Sequence, residues 1–173
     1  MAQHSESIER TLVLLKTDAV NRGLVGEILH RFERTGLKII GLKMVWSDKD
    51  TAMKHYTEDV SRRRGEKVRE RMIKMITSGP IIAIAIEGVE AVEVVRKMVG
   101  TTEPKQAAPG TIRGDYAHVS FTYADANEIG IFNLIHASAN IEEAAQEIGV
   151  WFNDFELQDY HPDYTRHTIT IKE

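Results

Sequence analysis

Ile81 to Ile86, introduced by the breaker Ser78-Gly79-Pro80, alternates isoleucine with alanine for most of its length and carries no polar side chain. Neither face of such a strand can meet water, so the chain must lay cover on both sides of a sheet. Three other short stretches compete for places beside it. Thr11 to Leu15 is too short for a helix and reads as a buried strand. Leu37 to Trp46 is apolar and β-branched, with Gly41 weakening its middle, and Ile131 to His136 reads as a last strand.

The covering layers are written between the strands. Leu24, Val25, Ile28, Leu29 and Phe32 follow helical spacing, and Gly36 is placed to end that helix. Ser47 with Asp50 three residues later reads as a helix start, giving a short helix to about Tyr56; a second runs from roughly Gly65 to Thr77. Val89, Val92, Val95, Met98 and Val99 return to helical spacing until Gly100. Thr101 to about Gly130 reads as a long loop of the kind that carries function. Asn140 and Glu143 form a capping box for a helix whose Ala144, Ala145, Ile148, Trp151 and Phe152 share a face. Leu157 to Glu173 is polar and reads as a surface-hugging or frayed tail. The order β-α-β-α-α-β-α-loop-β-α predicts an α+β fold of the split β-α-β kind, a small antiparallel sheet covered by helices.

Bulk properties narrow the class. A chain of 173 residues is long enough for one domain with a proper core. Its net charge of −4 gives no general attraction to nucleic acid or anionic membrane. With no cysteine there is no disulfide framework or thiolate metal site, which fits a reducing interior. No apolar run approaches the roughly 20 residues of a membrane span, and Met1 to Glu9 is polar rather than signal-like. The expectation is a soluble, cytoplasmic protein.

The chemistry gathers around Asn133-Leu134-Ile135-His136-Ala137-Ser138. It sets a histidine directly after an apolar run, among small residues that leave room for a bulky anion. Imidazole titrates at roughly 6.5 and is a good phosphoryl acceptor near neutral pH. Fixed cations are available: Lys16 at the end of the first strand, Arg96 late in a helix, and Arg113 within Pro109-Gly110-Thr111-Ile112-Arg113-Gly114-Asp115. Arginine forks grip phosphate oxygens two at a time, lysine adds a point charge, and Thr102 adds a hydroxyl. Neither of the two commonest nucleotide fingerprints is present. An anion site built around a histidine is as far as these residues reach alone.

Together the segments resemble the nucleoside diphosphate kinase family. The matching pieces are Glu9-Arg10-Thr11 leading to Lys16, Arg22 to Ile28, Thr77 to Pro80, Glu87-Gly88, Pro109 to Asp115 and Asn133 to Ser138. They occur in family order, with 9–157 as the kinase domain and 1–8 and 158–173 as polar tails. The resemblance implies a ferredoxin-like βαββαβ sheet with an extended loop before its last strand. It also implies a ping-pong reaction, in which His136 takes the γ-phosphoryl group of a nucleoside triphosphate such as ATP or GTP and gives it to a nucleoside diphosphate. Lys16, Arg96, Thr102 and Arg113 would hold the phosphates, with Lys16 and Asn133 also reaching the ribose. Tyr56 would lie beside the histidine, and Ser138 and Glu147 would orient it. Mg²⁺ would travel with the phosphates rather than in a protein cage. A homo-oligomer, hexamer or tetramer, is implied, without a nucleic-acid or membrane partner.

The chain departs from the family pattern in places. Ala139 stands where aspartate is usual, Thr17 replaces a proline, and 117–129 is longer than usual. The phenylalanine that stacks on the base in most members is missing, and Val68 and Arg69 occupy that stretch. An arginine plane can stack on a base; the other reading is a solvated basic helix start. These departures motivate the rival expectation, a nucleotide-binding or assembly protein that has lost turnover. Nucleic-acid binding through Arg62-Arg63-Arg64 is weaker still, as the run lacks interleaved aromatics. His4, His30, His55, His118, His161 and His167 have no recognisable partner in the sequence and are expected to play no catalytic part.

Overall fold

The computed structural model describes residues 8–169; the expected N-terminal tail up to residue 7, with His4, and positions 170–173 of the C-terminal tail lie outside them. The chain runs β1 (Ile8–Leu15), α1 (Thr17–Asn21), α2 (Val25–Arg34), β2 (Lys38–Val45), α3 (Lys49–His55), α4 (Glu58–Arg64), α5 (Glu66–Ile76), β3 (Ile81–Val89) and α6 (Ala91–Val99). After a 3₁₀ turn at Pro104–Gln106 come α7 (Ile112–Tyr116), α8 (Phe121–Ala126), β4 (Ile135–Ala137) and α9 (Ile141–Trp151). A second 3₁₀ turn at Asp154–Glu156 and the short α10 (Thr165–Thr168) complete the order.

The four strands form one sheet in the order β2-β3-β1-β4, each neighbouring pair antiparallel. β3 occupies the inside of the sheet, as its apolar run Ile81 to Ile86 requires. Its Ile82, Ile84 and Ile86 join Val13 and Leu15 against Ile28 and Phe32 of α2 and Val95 of α6. On the opposite face Ala83 and Ala85 join Leu12 and Leu14 against Ile73 and Ile76 of α5 and Ile148 and Trp151 of α9. The Ile/Ala alternation therefore separates two cores, with the small side chains facing α5 and α9.

Several local expectations are corrected. Asp48, not Ser47, caps α3: its carboxylate accepts from the Thr51 amide at 2.7 Å, while the Ser47 hydroxyl donates to the Asp48 carbonyl. β3 continues to Val89, so that residue ends a strand rather than opening a helix, and Glu90 makes the turn at φ 49°. The stretch expected as one long loop holds α7, α8 and a 3₁₀ turn. The last strand is reduced to Ile135–Ala137, because Leu134 adopts a left-handed φ of 69° and breaks the extended run. The start of the tail hugs the surface, one of its two expected forms: the Gln158 amide donates to the Ile40 carbonyl at 2.6 Å and the Tyr160 hydroxyl to Ile39 at 3.0 Å. No described helix is long and apolar enough to cross a membrane.

Candidate active site

Leu134 is where the sheet and the site meet. A left-handed leucine costs about 1–2 kcal/mol, and two bonds hold it there: its amide donates to Asp18 Oδ2 at 2.9 Å and its carbonyl accepts from the Lys16 amide at 2.8 Å. The reversal turns Asn133 toward a cleft of about 920 Å³ while Ile135–Ala137 pairs with β1. His136 stands on that short strand and lines the cleft, its side chain 19% exposed.

Glu147, on α9, fixes the imidazole. His136 Nε2 lies 2.8 Å from Glu147 Oε1 and 2.9 Å from Oε2, and the Ser138 hydroxyl donates to Oε2 at 2.5 Å. A carboxylate accepts, so Nε2 carries the ring proton and Nδ1 keeps its lone pair. Among the described residues Nδ1 has no protein partner. Burial, reinforced by the cations Arg113, Lys16 and Arg96 and opposed by Glu143, pushes the His136 pKa down to about 4. The imidazole is neutral at physiological pH.

The cations converge on the same cleft. Lys16 is buried, its ammonium donating to the Ile131 carbonyl at 3.1 Å, and burial lowers its pKa to about 8 against the pull of Asp18. Arg113, at the start of α7, donates to Ile135 O at 2.6 Å, Gly100 O at 2.8 Å and Asn133 O at 3.3 Å. Burial first, then Arg96, lowers it to about 10. A Cβ at Gly114 would sit 2.1 Å from the Ala108 carbonyl, so only glycine lets α7 start this close to the preceding loop. Arg96 lines the cleft from the last turn of α6, with Nη1 3.5 Å from the Ser138 carbonyl. Asn133 Nδ2 donates to the Thr102 carbonyl at 2.7 Å, which ties the Thr102 loop to the strand. Tyr56 is buried beside them, and burial with the Glu147 charge drives its phenol pKa upward.

Lys16, Tyr56, Arg96, Thr102, Arg113, Asn133, His136 and Glu147 thus line one cleft, with Ser138 directly behind Glu147. Val68 and Phe121 of α8 also line it. Arg69 does not reach it. Its Nε donates to the Tyr56 carbonyl at 2.7 Å and Nη1 to Glu66 at 3.2 Å, and the residue is buried. The base-stacking expectation for Arg69 is therefore corrected, since its guanidinium plane is packed under α3's end. His55 was passed over in the sequence yet lies against the site, its ring centroid 4.5 Å from that of His136. Its place directly before Tyr56, at the end of α3, is the signal that could have found it.

One ring nitrogen each of His55 and His136 and a Glu147 oxygen lie within 4.8 Å of one another. His136 is engaged with Glu147 and His55 with Trp151, and two imidazoles with one carboxylate do not suit Mg²⁺, which prefers octahedral oxygen ligands. The cations around the cleft fit an anion instead.

A four-stranded antiparallel α+β domain that holds one oriented imidazole in a cleft lined by cations has the make-up of a phosphate-handling protein. A family model described as nucleoside diphosphate kinase matches residues 9–157, and the chain belongs to that family. It is 46% identical over 157 residues to the nucleoside diphosphate kinase of Borreliella burgdorferi, covering 90% of this chain and 94% of that one. It is 50% identical over 153 residues to that of Pyrococcus furiosus, covering 88% of each. A solved transition-state mimic of the Borrelia burgdorferi enzyme with bound vanadate and ADP superposes with a TM-score of 0.92 at 45% identity, covering 94% of this chain and 97% of that one. A Halobacterium salinarum nucleoside diphosphate kinase in complex with CDP gives 0.79 at 37% identity, covering 92% and 97%.

Proposed function

We propose that the protein is a nucleoside diphosphate kinase in which His136 carries the phosphoryl group between nucleotides. The observation that carries this reading is the Glu147–His136 bond, which leaves the Nδ1 lone pair unengaged on a ring that lines one cleft with Lys16, Arg96 and Arg113. The Nδ1 lone pair attacks the γ-phosphorus of a nucleoside triphosphate, and the bond from that phosphorus to the β-phosphate oxygen breaks. The diphosphate leaves with the bonding electrons, and a second diphosphate reverses the step with its own terminal oxygen. Such a transfer needs positioning and charge neutralisation more than further covalent help. Lys16, Arg96, Thr102 and Arg113 hold the phosphates, Lys16 and Asn133 also reach the ribose, and Mg²⁺ enters as part of the nucleotide substrate.

Ser138 and Glu147 hold the ring proton at Nε2, and Tyr56 closes the apolar side. Val68 with Phe121 offers the base an apolar wall that reads no hydrogen-bonding edge, which supports broad choice among ATP, GTP and other nucleotides. We further propose 9–157 as the catalytic unit with 1–8 and 158–173 as appendages, a cytoplasmic setting, and assembly of identical copies. Assembly is supported by the exposed Leu42, Met44 and Trp46 at the β2 edge.

Incubation with γ-labelled ATP and Mg²⁺ followed by a GDP chase tests the reading. Acid-labile label on the intact protein, none on His136→Ala, and passage of label to GDP are expected. Nucleotide binding without label would instead support the non-catalytic reading, which Ala139 and the absence of a base-stacking phenylalanine at 58–71 favour.

A further inference from the structure

His55 is the buried titratable group that phosphoryl transfer leaves unused. It closes α3 with its side chain 0% exposed, under His136 and beside α9. Its Nδ1 lies 3.3 Å from the Trp151 indole nitrogen and 3.4 Å from Glu147 Oε1, the oxygen that also holds His136. Indole nitrogen can only donate. Nδ1 must therefore accept from Trp151, which leaves the His55 proton on Nε2, a buried atom with no partner among the described residues. An orphaned buried donor is costly. A residue kept only for packing would not be expected to bear that cost.

We propose that Trp151 and His55 are positioning residues for His136: the Trp151 N–H fills the lone pair of His55 Nδ1, and Glu147 Oε1 is thereby reserved for His136. This rests on the phosphotransferase reading of the site. If Nδ1 were protonated it would donate to the same oxygen, and two imidazoles would compete for one carboxylate. Glu147 would turn from His136, and the nucleophile would lose the bond that keeps its proton on Nε2 and its lone pair on Nδ1. The two rings meet edge to face at 85°, so the His55 ring also sets the plane of His136. The titratable groups bearing on His55 are His136 from β4 and Glu147 from α9, with the Tyr56 ring 4.6 Å away. Burial, with His136 adding to it and Glu147 opposing it, holds the His55 pKa down at about 3, in keeping with a permanently neutral ring.

The test has two arms. Long-range ¹⁵N–¹H NMR of the intact protein should show His55 as the neutral Nε2–H tautomer from pH 5 to 8. A proton on Nδ1, or a titration midpoint inside that range, overturns the proposal. In the second arm, transfer of label from γ-labelled ATP to His136 is timed in Trp151→Phe, whose His55 tautomer is read by the same NMR. The substitution removes the donor, so the buried, neutral His55 ring should move its proton to Nδ1 and donate it to Glu147. Transfer should slow by about tenfold, the loss of one hydrogen bond from His136. An unchanged rate in Trp151→Phe, or a His55 proton that stays on Nε2 there, overturns the proposal. Should Trp151→Phe fail to fold, the tautomer of the wild type decides. A wild type that takes no label refutes the phosphotransferase reading, while the NMR arm still reports on His55.

Discussion

At the scale of single residues the site depends on keeping several groups away from their ordinary charge states. Lys16 shows the consequence most directly. With a pKa lowered to about 8 by burial, it is about half charged at pH 8 in the free protein. A bound phosphate favours the charged form and raises that pKa, so nucleotide binding at pH 8 should take up a proton. His136, held down at about 4, contributes nothing at that pH. Calorimetric binding of ADP in two buffers of different ionisation enthalpy should therefore give different heats at pH 8, a difference that Lys16→Met removes. Identical heats in the wild type would refute it. The sign also fixes the high-pH side: affinity should fall as pH rises past 8, because the free protein then pays to recharge the ammonium. Lys16, Arg113 and His136 were legible in the sequence as residue types in a family order. The left-handed Leu134 that aims them was not, since leucine carries no signal for positive φ.

At the scale of elements, what was legible was periodicity, and what was not was chain made of short pieces. β1, β3, α2 and α9 have apolar patterns long enough to declare themselves. α4, α7 and α8 are at most seven residues each, so turn residues and caps decide them rather than a stripe. α8 brings Phe121 into the lining of the cleft. Ser120 caps it by accepting from the Tyr123 amide at 3.1 Å, the Phe121 amide donates to Glu103 at 2.8 Å, and Arg71 of α5 pairs with Asp125 at 3.1 Å. A 38% exposed phenylalanine on so well fastened a helix offers a base a ready stacking face. Base–aromatic stacking is worth about 1–3 kcal/mol on truncation to alanine. Phe121→Ala should raise the KM for nucleoside diphosphates roughly 5- to 150-fold while leaving the maximal rate of His136 phosphorylation within about threefold. Phe121→Tyr should retain the wild-type KM. An unchanged KM in Phe121→Ala would remove α8 from the base site.

At the scale of the whole molecule the sheet is covered unevenly, and the uneven part faces outward at β2. Leu42 and Met44 pair with Ile84 and Ile82, whose side chains lie in the α2/α6 core, yet Leu42, Met44 and Trp46 are 52%, 62% and 69% exposed. Leu42 and Met44 mark one face of an edge strand that the chain's own helices leave open, and Trp46 continues the row just beyond it, its indole donating to the Thr77 carbonyl at 3.1 Å. An open apolar edge is an aggregation hazard unless something pairs with it. The tail limits the hazard at one end, where Gln158 and Tyr160 bond to Ile40 and Ile39 and Lys38 pairs with Asp159 at 3.3 Å. The rest of the strand stays available to another copy, whose equivalent strand presents the same row and can meet it about a two-fold axis. Met44→Lys places a charge in the middle of that row without disturbing either core, since Met44 already faces solvent within one chain. Sedimentation should then show the wild type as an oligomer and Met44→Lys as a smaller species. Local packing around His136 should be unaffected, so the smaller species should still bind ADP. An unchanged sedimentation coefficient in Met44→Lys would place the assembly surface elsewhere on the molecule.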